Sequence, residues 1–194
     1  TSRKGSEIRL TGFDGQLERR EELDALIRKL ELEGLVLMIP RKGAEVADIS
    51  EKSLKDVLEV REALEELAAR LACDKITKEG INRLKEAAQD FRSALKSNDI
   101  TQMAEADVRF HDVICNATEN QKLGQLLNNL REQMYRYRIE YLKDQQVYEK
   151  LLSEHEEIIR HIEKGEKDEA ARVVSRHIEN QAQAVTDVIR TKKN

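Results

Sequence analysis

Four side chains that can bind metals or transfer protons fall on the apolar faces of segments predicted to be helical. Asp107 and His111 stand four residues apart in EADVRFHDVI, and share a face with Met103, Phe110 and Ile114. His155 and His177 lie on the apolar stripes of two later helices. Since residues at i, i+3 and i+4 share one face of a helix, one carboxylate and three imidazoles should point into the core.

The buried acid needs a partner. An unpaired buried carboxylate costs several kcal/mol, so something must neutralise Asp107. A protonated histidine would leave a metal-free polar cluster, and a lone inward histidine is usually a hydrogen-bonded core residue. A divalent metal would satisfy all four groups at once, and this donor set suits Zn, Ni, Mn, Fe or Co rather than Ca. The spacing leaves both possibilities open.

The remaining histidine and the wider motif pattern argue against an enzyme. His161 is predicted to face solvent, beside Glu154, Glu157 and Lys164. A di-iron bundle needs Glu-x-x-His on two helices, and apolar residues stand three positions before every histidine here. HEEIIRH does not match the His-Glu-x-x-His motif of zinc hydrolases. No glutamate is assigned to an apolar stripe as a general base, so we expect no enzymatic activity.

The elements that must position these groups are mainly helices. The 194 residues include one Pro, with 39% hydrophobic and 37% charged residues, a composition that favours helix. A first helix is predicted over 17–33. Val36 to Ile39 and Ala44 to Ile49 form a hairpin around the turn PRKG. Six helices should follow in an antiparallel bundle, over 50–73, 77–98, 99–117, 120–142, 145–164 and 168–189.

Net charge, cysteine spacing and the length of apolar runs narrow the classes of protein to which the chain could belong. The net charge of −4 gives the whole surface no attraction for nucleic acid, although a local basic patch could still bind it. Cys73 and Cys115 lack any motif spacing and are predicted to be reduced thiols. No apolar run is long enough for a membrane span and no signal peptide is visible, so we expect a cytoplasmic protein.

Several segments resemble the GntR superfamily of transcription regulators, in its FCD (FadR C-terminal domain) branch. IRKLELEGLVLMIPRKGAEVADIS resembles the end of a winged helix and its wing. VLEVREALEELAARLA (57–72), DVRFHDVICNATENQKL (107–123) and SEHEEIIRHIEKGEKDEAARVVSRHI (153–178) resemble FCD helices. The resemblance implies a divalent metal, most readily Zn, and it implies these ligands: Asp107, His111, His155 and His177.

The resemblance also implies that Arg61 binds a small carboxylate effector beside the metal. Arg61 shares a predicted stripe with Leu54, Val57, Leu58, Leu64, Leu67 and Leu71. A guanidinium on such a stripe needs an anion, and a carboxylate fits its fork. The internal alternative is a salt bridge to Glu65 or to a glutamate on another helix.

The N-terminal segment departs from the family pattern. RREELDALI (19–27) replaces the family's recognition helix, and residues 1–48 carry nine Lys/Arg against ten Asp/Glu. We therefore expect an incomplete or degenerate winged-helix domain over 1–49, with an FCD domain over 50–194. The candidate DNA contacts are Arg19, Arg20, Arg41 and Lys42.

These features together predict a DNA-binding regulator, most simply a repressor, that acts as a homodimer on operator DNA and responds to an organic acid. The alternatives are a sensor or adaptor without DNA binding, and a metalloenzyme.

Overall fold

The computed structural model describes residues 20–32, 34–40, 42–47 and 51–193. The chain divides into two compact units, with the boundary between residues 49 and 50. The two domains predicted from the sequence, a winged helix over 1–49 and an FCD domain over 50–194, have the same boundary. Arg19 and Arg41 lie outside the described residues.

The first unit consists of a helix and a hairpin. Helix α1 spans Arg20–Leu32, and Gly34 follows it with a positive φ of 69° that a side chain would strain. Strands β1 (Val36–Ile39) and β2 (Gly43–Val46) pair antiparallel, with Val36 opposite Val46. The hairpin was predicted. Its second strand begins one residue earlier than expected, and the end of the predicted strand lies outside the described residues.

The second unit is helical, which confirms the predicted class. Its helices are α2 (Glu51–Lys75), α3 (Lys78–Ser97), α4 (Ile100–Ala117), α5 (Gln121–Tyr141), α6 (Tyr148–Lys164) and α7 (Lys167–Lys193). A 3-10 turn at Gln145–Val147 precedes α6, so that helix starts later than predicted. The antiparallel order of a six-helix bundle stays a prediction.

Side-chain caps fix where helices α3, α4 and α5 begin. The side chain of Asp99 accepts a hydrogen bond from Gln102 N–H at 3.0 Å and so starts α4. Thr77 and Asn120 cap α3 and α5 in the same way. Gly165, with a φ of 71°, ends α6 and allows α7 to begin two residues later. The capping residue types stand directly before helices α3, α4 and α5, which explains why the predicted starts of these helices are within one residue of the observed ones.

Packing between α2 and α7 and between α3 and α4 forms the core of this unit. One prediction about α2 was wrong: Leu67 is 43% exposed, whereas Ala68, Ala69 and Ala72 are buried. At about 100° per residue, Leu67 lies roughly 120° from Arg61 around the helix, and Ala68 lies within about 20° of it. The buried face of α2 is therefore centred on Arg61 and on small residues that let neighbouring helices approach.

In the part of the chain that the structure describes, none of the helices is both long enough and apolar enough to cross a membrane.

Candidate metal centre

The structure brings the four predicted side chains together. Asp107 and His111 come from α4, His155 from α6 and His177 from α7. One donor atom of each lies within 4.8 Å of those of the other three. Asp107, His155 and His177 are fully buried, and His111 is 8% exposed.

Aromatic packing holds the histidine rings in an apolar environment. The ring of His155 stacks on Phe110 with centroids 4.2 Å apart, and meets the edge of Phe91 at 5.5 Å. The His177 ring lies 5.2 Å from that of His155 and 5.3 Å from that of His111. Buried polar groups of this kind are usually satisfied, so their nitrogens need hydrogen-bond partners or a bound ion.

The two oxygens of Asp107 have different surroundings. Oδ2 accepts a hydrogen bond from Nε of Arg138, a buried arginine on α5. Oδ1 lies 3.0 Å from Nε2 of His155, but the angles do not allow a hydrogen bond, and no other residue that the structure describes donates to Oδ1. Burial alone would raise the pKa of Asp107, yet Arg138, His155 and His111 outweigh it and hold the pKa well below its usual range. Asp107 is therefore an anion with one oxygen directed at the histidines.

His177 is oriented by a glutamate behind it. Its Nδ1 donates to Oε2 of Glu154 at 2.7 Å, and Oε1 of Glu154 accepts from Asn180 at 2.6 Å. Burial lowers the pKa of His177 from 6.5 to about 4, with His155 and His111 adding to the effect and Glu154 opposing it. The ring is thus neutral near pH 7, with its lone pair on Nε2.

His111 also faces a glutamate. Its Nδ1 lies in close contact with Oε2 of Glu65, although the angle does not allow a hydrogen bond. Burial would raise the pKa of Glu65, but Arg61 and His111 together hold it far below its usual range. Glu65 is therefore a buried anion that directs Nε2 of His111 away from it.

Arg61 has partners inside the protein. Its Nε donates to Glu65 at 2.6 Å, its Nη1 donates to Gln181 at 2.7 Å, and its Nη2 lies 3.3 Å from Nε2 of His111. The salt bridge to Glu65 is the internal alternative considered from the sequence. Arg61 also lines a cavity of about 120 Å³ next to the cluster, together with Glu65, His111, Asn128 and Arg138.

The residues present fit a divalent metal. Oδ1 of Asp107 and both ring nitrogens of His155 are buried and have no hydrogen-bond partner within the described residues. Leaving such groups unpaired costs free energy, and a cation between a carboxylate oxygen and imidazole nitrogens would remove that cost. The donor set of one carboxylate and three imidazoles suits first-row transition metals.

Sequence reasoning missed one residue of the site and misplaced another. Arg138 was not singled out, although it shares a helical face with Met134, Tyr137 and Tyr141, all of which are half-buried or buried. Glu154 was placed beside the exposed His161, but it is 4% exposed and faces His177. Buried glutamates therefore do exist on α2 and α6, contrary to the expectation. Each is held by cationic or N–H partners: Glu65 accepts from Arg61, and Glu154 accepts from His177 and Asn180.

Several other residues were assigned from the sequence. His161 is half-buried rather than exposed, and its Nδ1 pairs with Glu166 at 2.6 Å. Lys42 is exposed in the hairpin turn, where its N–H donates to Ile39 O at 3.0 Å. Arg20 begins α1, and its side chain is outside what the structure describes. Cys73 and Cys115 are free thiols.

The family model of the FCD domain matches residues 56–180, which include the whole cluster. The chain belongs to the FCD family. This FCD protein is 24% identical over 172 residues to the uncharacterized HTH-type transcriptional regulator YdhC of Bacillus subtilis, covering 88% of this chain and 76% of the relative. It is 24% identical over 160 residues to the HTH-type transcriptional repressor RspR of Escherichia coli, covering 82% and 70%.

Solved structures share its fold. E. coli McbR/YncC superposes with a TM-score of 0.77 at 14% identity, over 84% of this chain and 83% of the other. The metal-free FCD domain of TM0439 gives 0.62 at 20% identity, over 75% of this chain and 99% of the other. A GntR family member from Pseudomonas syringae gives 0.59 at 22% identity, over 90% and 77%.

These relatives confirm the resemblance to GntR-type regulators of the FCD branch. The named relatives are regulators of transcription and not enzymes, as expected for this FCD protein.

Proposed function

We propose that this FCD protein is a metabolite-responsive transcription regulator, most simply a repressor. In this proposal the helical unit binds a divalent metal and a small organic acid, and the N-terminal unit binds operator DNA as a winged helix. The observation that carries the proposal is the buried cluster of one aspartate and three histidines, with donor atoms within 4.8 Å of one another. The names of the relatives support the DNA-binding part.

The metal would be held by Asp107, His111, His155 and His177. Zn is the first candidate, with Ni, Mn, Fe and Co as alternatives for this donor set. A bound divalent ion would supply positive charge beside the 120 Å³ cavity. Arg61 and Arg138 line that cavity with guanidinium groups, so an acid that enters it would meet N–H donors suited to a carboxylate.

The volume of the cavity favours a small acid. A cavity of about 150 Å³ lined by apolar side chains holds benzene, so about 120 Å³ suits a ligand of roughly six non-hydrogen atoms or fewer. We therefore propose a short-chain carboxylic acid as the effector. Homodimers would place two winged helices on the two halves of a palindromic operator, and such a regulator would act in the cytoplasm.

Metal binding is tested by titration and thermal melting of the protein and four histidine variants. An ion that binds only the folded state stabilises it by about 2.7 kcal/mol at a hundredfold excess over Kd. His111→Ala, His155→Ala and His177→Ala should lose the metal and most of that stabilisation, while His161→Ala keeps both. Wild-type protein that takes up no transition metal and melts identically with and without EDTA contradicts the metal site.

DNA binding is tested by a mobility shift on the region upstream of the protein's own gene. Lys42→Ala should weaken binding to every sequence and reduce the salt slope by about 0.9, the value for one lost phosphate contact. A protein that binds metal but shifts no DNA would instead be a sensor or adaptor without DNA binding.

A further inference from the structure

Gln181 lies between two parts of the proposed site, one helical turn after His177 on α7. It is 3% exposed. Its Oε1 accepts from Nη1 of Arg61 at 2.7 Å, and its Nε2 donates to the hydroxyl of Tyr141 at 3.1 Å. The same Nε2 lies 2.8 Å from Nε2 of His177. One amide therefore connects Arg61 to a candidate metal ligand.

The partners fix which way the amide points. A guanidinium can only donate hydrogen bonds, so the atom of Gln181 that faces Arg61 must be the carbonyl oxygen. The amide N–H groups then face Tyr141 and His177. Because Glu154 holds the proton of His177 on Nδ1, Nε2 of His177 is an acceptor with a single lone pair in the ring plane.

That lone pair cannot serve two partners. It can accept the N–H of Gln181 or bind a metal ion, and Nδ1 is already used by Glu154. We propose that Gln181 competes with the metal for Nε2 of His177 and transmits metal binding to Arg61. This inference rests on the proposed metal site and adds a regulatory step to it.

A second contact indicates how metal binding would change the contacts of Arg61. Nη2 of Arg61 lies 3.3 Å from Nε2 of His111, so a metal that binds this nitrogen displaces Arg61 as it displaces Gln181. Arg61 then keeps its bond to Glu65 through Nε, while Nη2 is released beside the cavity. Metal binding thereby frees a guanidinium N–H for the carboxylate of an acid, and the two ligands favour each other's binding.

The test compares Zn²⁺ affinity by competition with a chromophoric chelator at pH 7.5. Gln181→Met keeps the volume but removes the competing donor. Since a neutral hydrogen bond contributes a free energy equivalent to about 2- to 12-fold in affinity, the variant should bind Zn²⁺ tighter by that factor. Gln183→Met, two residues along the same helix at an exposed position, should bind as the wild type does.

The outcomes separate the two proposals. Wild-type protein that binds no Zn²⁺ overturns the metal site and the competition with it. Wild-type protein that binds Zn²⁺ with a Kd equal to or lower than that of Gln181→Met overturns the competition and leaves the metal site standing.

A direct readout does not depend on the variant folding. In NMR spectra of the wild type, saturation with Zn²⁺ should move the side-chain amide resonances of Gln181, because one N–H loses its imidazole acceptor. The amide of Gln183, which donates to Asp187, should keep its position. Gln181 resonances that stay unchanged at full Zn²⁺ occupancy also overturn the competition.

Discussion

Nδ1 of His177 lies 2.7 Å from Oε2 of Glu154, and both side chains are buried. A carboxylate in this position fixes the proton of the imidazole on the nitrogen it faces and orients the ring. It also makes the opposite nitrogen a stronger donor to a metal. Glu154 would thus prepare His177 as a ligand for the proposed metal.

Replacement of Glu154 should weaken metal binding. Glu154→Leu removes the acceptor for Nδ1, so the Kd for Zn²⁺ should rise about 10- to 100-fold. The Kd of Glu154→Gln should lie between those of Glu154→Leu and the wild type. The control is Glu156→Leu, since Glu156 is exposed and pairs only with Arg92 among the contacts described. Equal affinities in Glu154→Leu and wild type would show that Glu154 does not position the ring.

Removal of Arg138 should destabilise the metal-free protein. Arg138→Met leaves Asp107 as a buried charge without its cationic partner, which costs about 3–5 kcal/mol. Urea unfolding in EDTA measures this loss, and saturating Zn²⁺ should restore part of it by neutralising Asp107. Arg109→Met breaks only an exposed pair with Asp90 and should cost about 0–1 kcal/mol. A loss below about 1 kcal/mol for Arg138→Met argues against its role as the counter-ion.

His177 should make stability fall in mildly acidic solution. Its pKa drops from 6.5 to about 4 on folding, chiefly through burial. Because the folded state binds the proton less readily, the contribution is complete above pH 6.5 and is lost as the pH falls to about 4. The expected total is about 3 kcal/mol.

Urea unfolding in EDTA between pH 7.5 and 4 tests this pH dependence. His177→Gln should show a shallower fall in stability across that window, because it lacks the titrating ring. The stability that ionised Asp107 and Glu65 contribute is lost as the pH falls through the ordinary pKa range of unfolded carboxyl groups, at the acid end of this window. That loss is common to both proteins, so the difference between their curves reports His177. Parallel curves for the two proteins would refute the assignment to His177.

Arg61 should be required for the response to an acid and not for metal content. In metal-loaded wild type, acetate should raise the melting temperature, and Arg61→Ala should abolish the rise while retaining the metal. Arg61→Lys should restore little, because an ammonium cannot reproduce the fork geometry. Since Arg61→Ala leaves Glu65 without its guanidinium partner, the double variant Arg61→Met with Glu65→Gln removes the pair as a unit. A full acetate response in that double variant excludes Arg61 as the acid-binding residue.

The inward histidines could be predicted from the sequence because helical periodicity is a local property. Asp107 and His111 share a turn of α4, and the stripes of α6 and α7 are regular enough to place His155 and His177. Burial of Arg138 is visible in the same way, since Tyr137 and Tyr141 flank it on one face of α5. The pairing of Arg138 with Asp107 cannot be predicted in this way, because the two residues lie on different helices and are 31 positions apart in sequence.

Other features depended on packing that periodicity does not describe. The buried face predicted for α2 included Leu67, which is exposed, and omitted the alanines, which are buried. Large apolar residues had been taken as the better sign of burial. Glu154 was assigned to the polar face because glutamate is seldom buried without a partner, and its partners His177 and Asn180 lie on another helix.

The full burial of three of the four cluster residues has a kinetic consequence. His111, at 8% exposure, is the member nearest to solvent, and it borders the cavity. An ion held by the cluster leaves either past His111 or through transient opening of the helices, so its release should become independent of chelator concentration once chelator is abundant. A molecule that fills the cavity obstructs the first path and lengthens the residence time of the ion. If both proposed ligands bind, we therefore expect the shape of the protein to set the order of their departure, with the acid leaving before the ion.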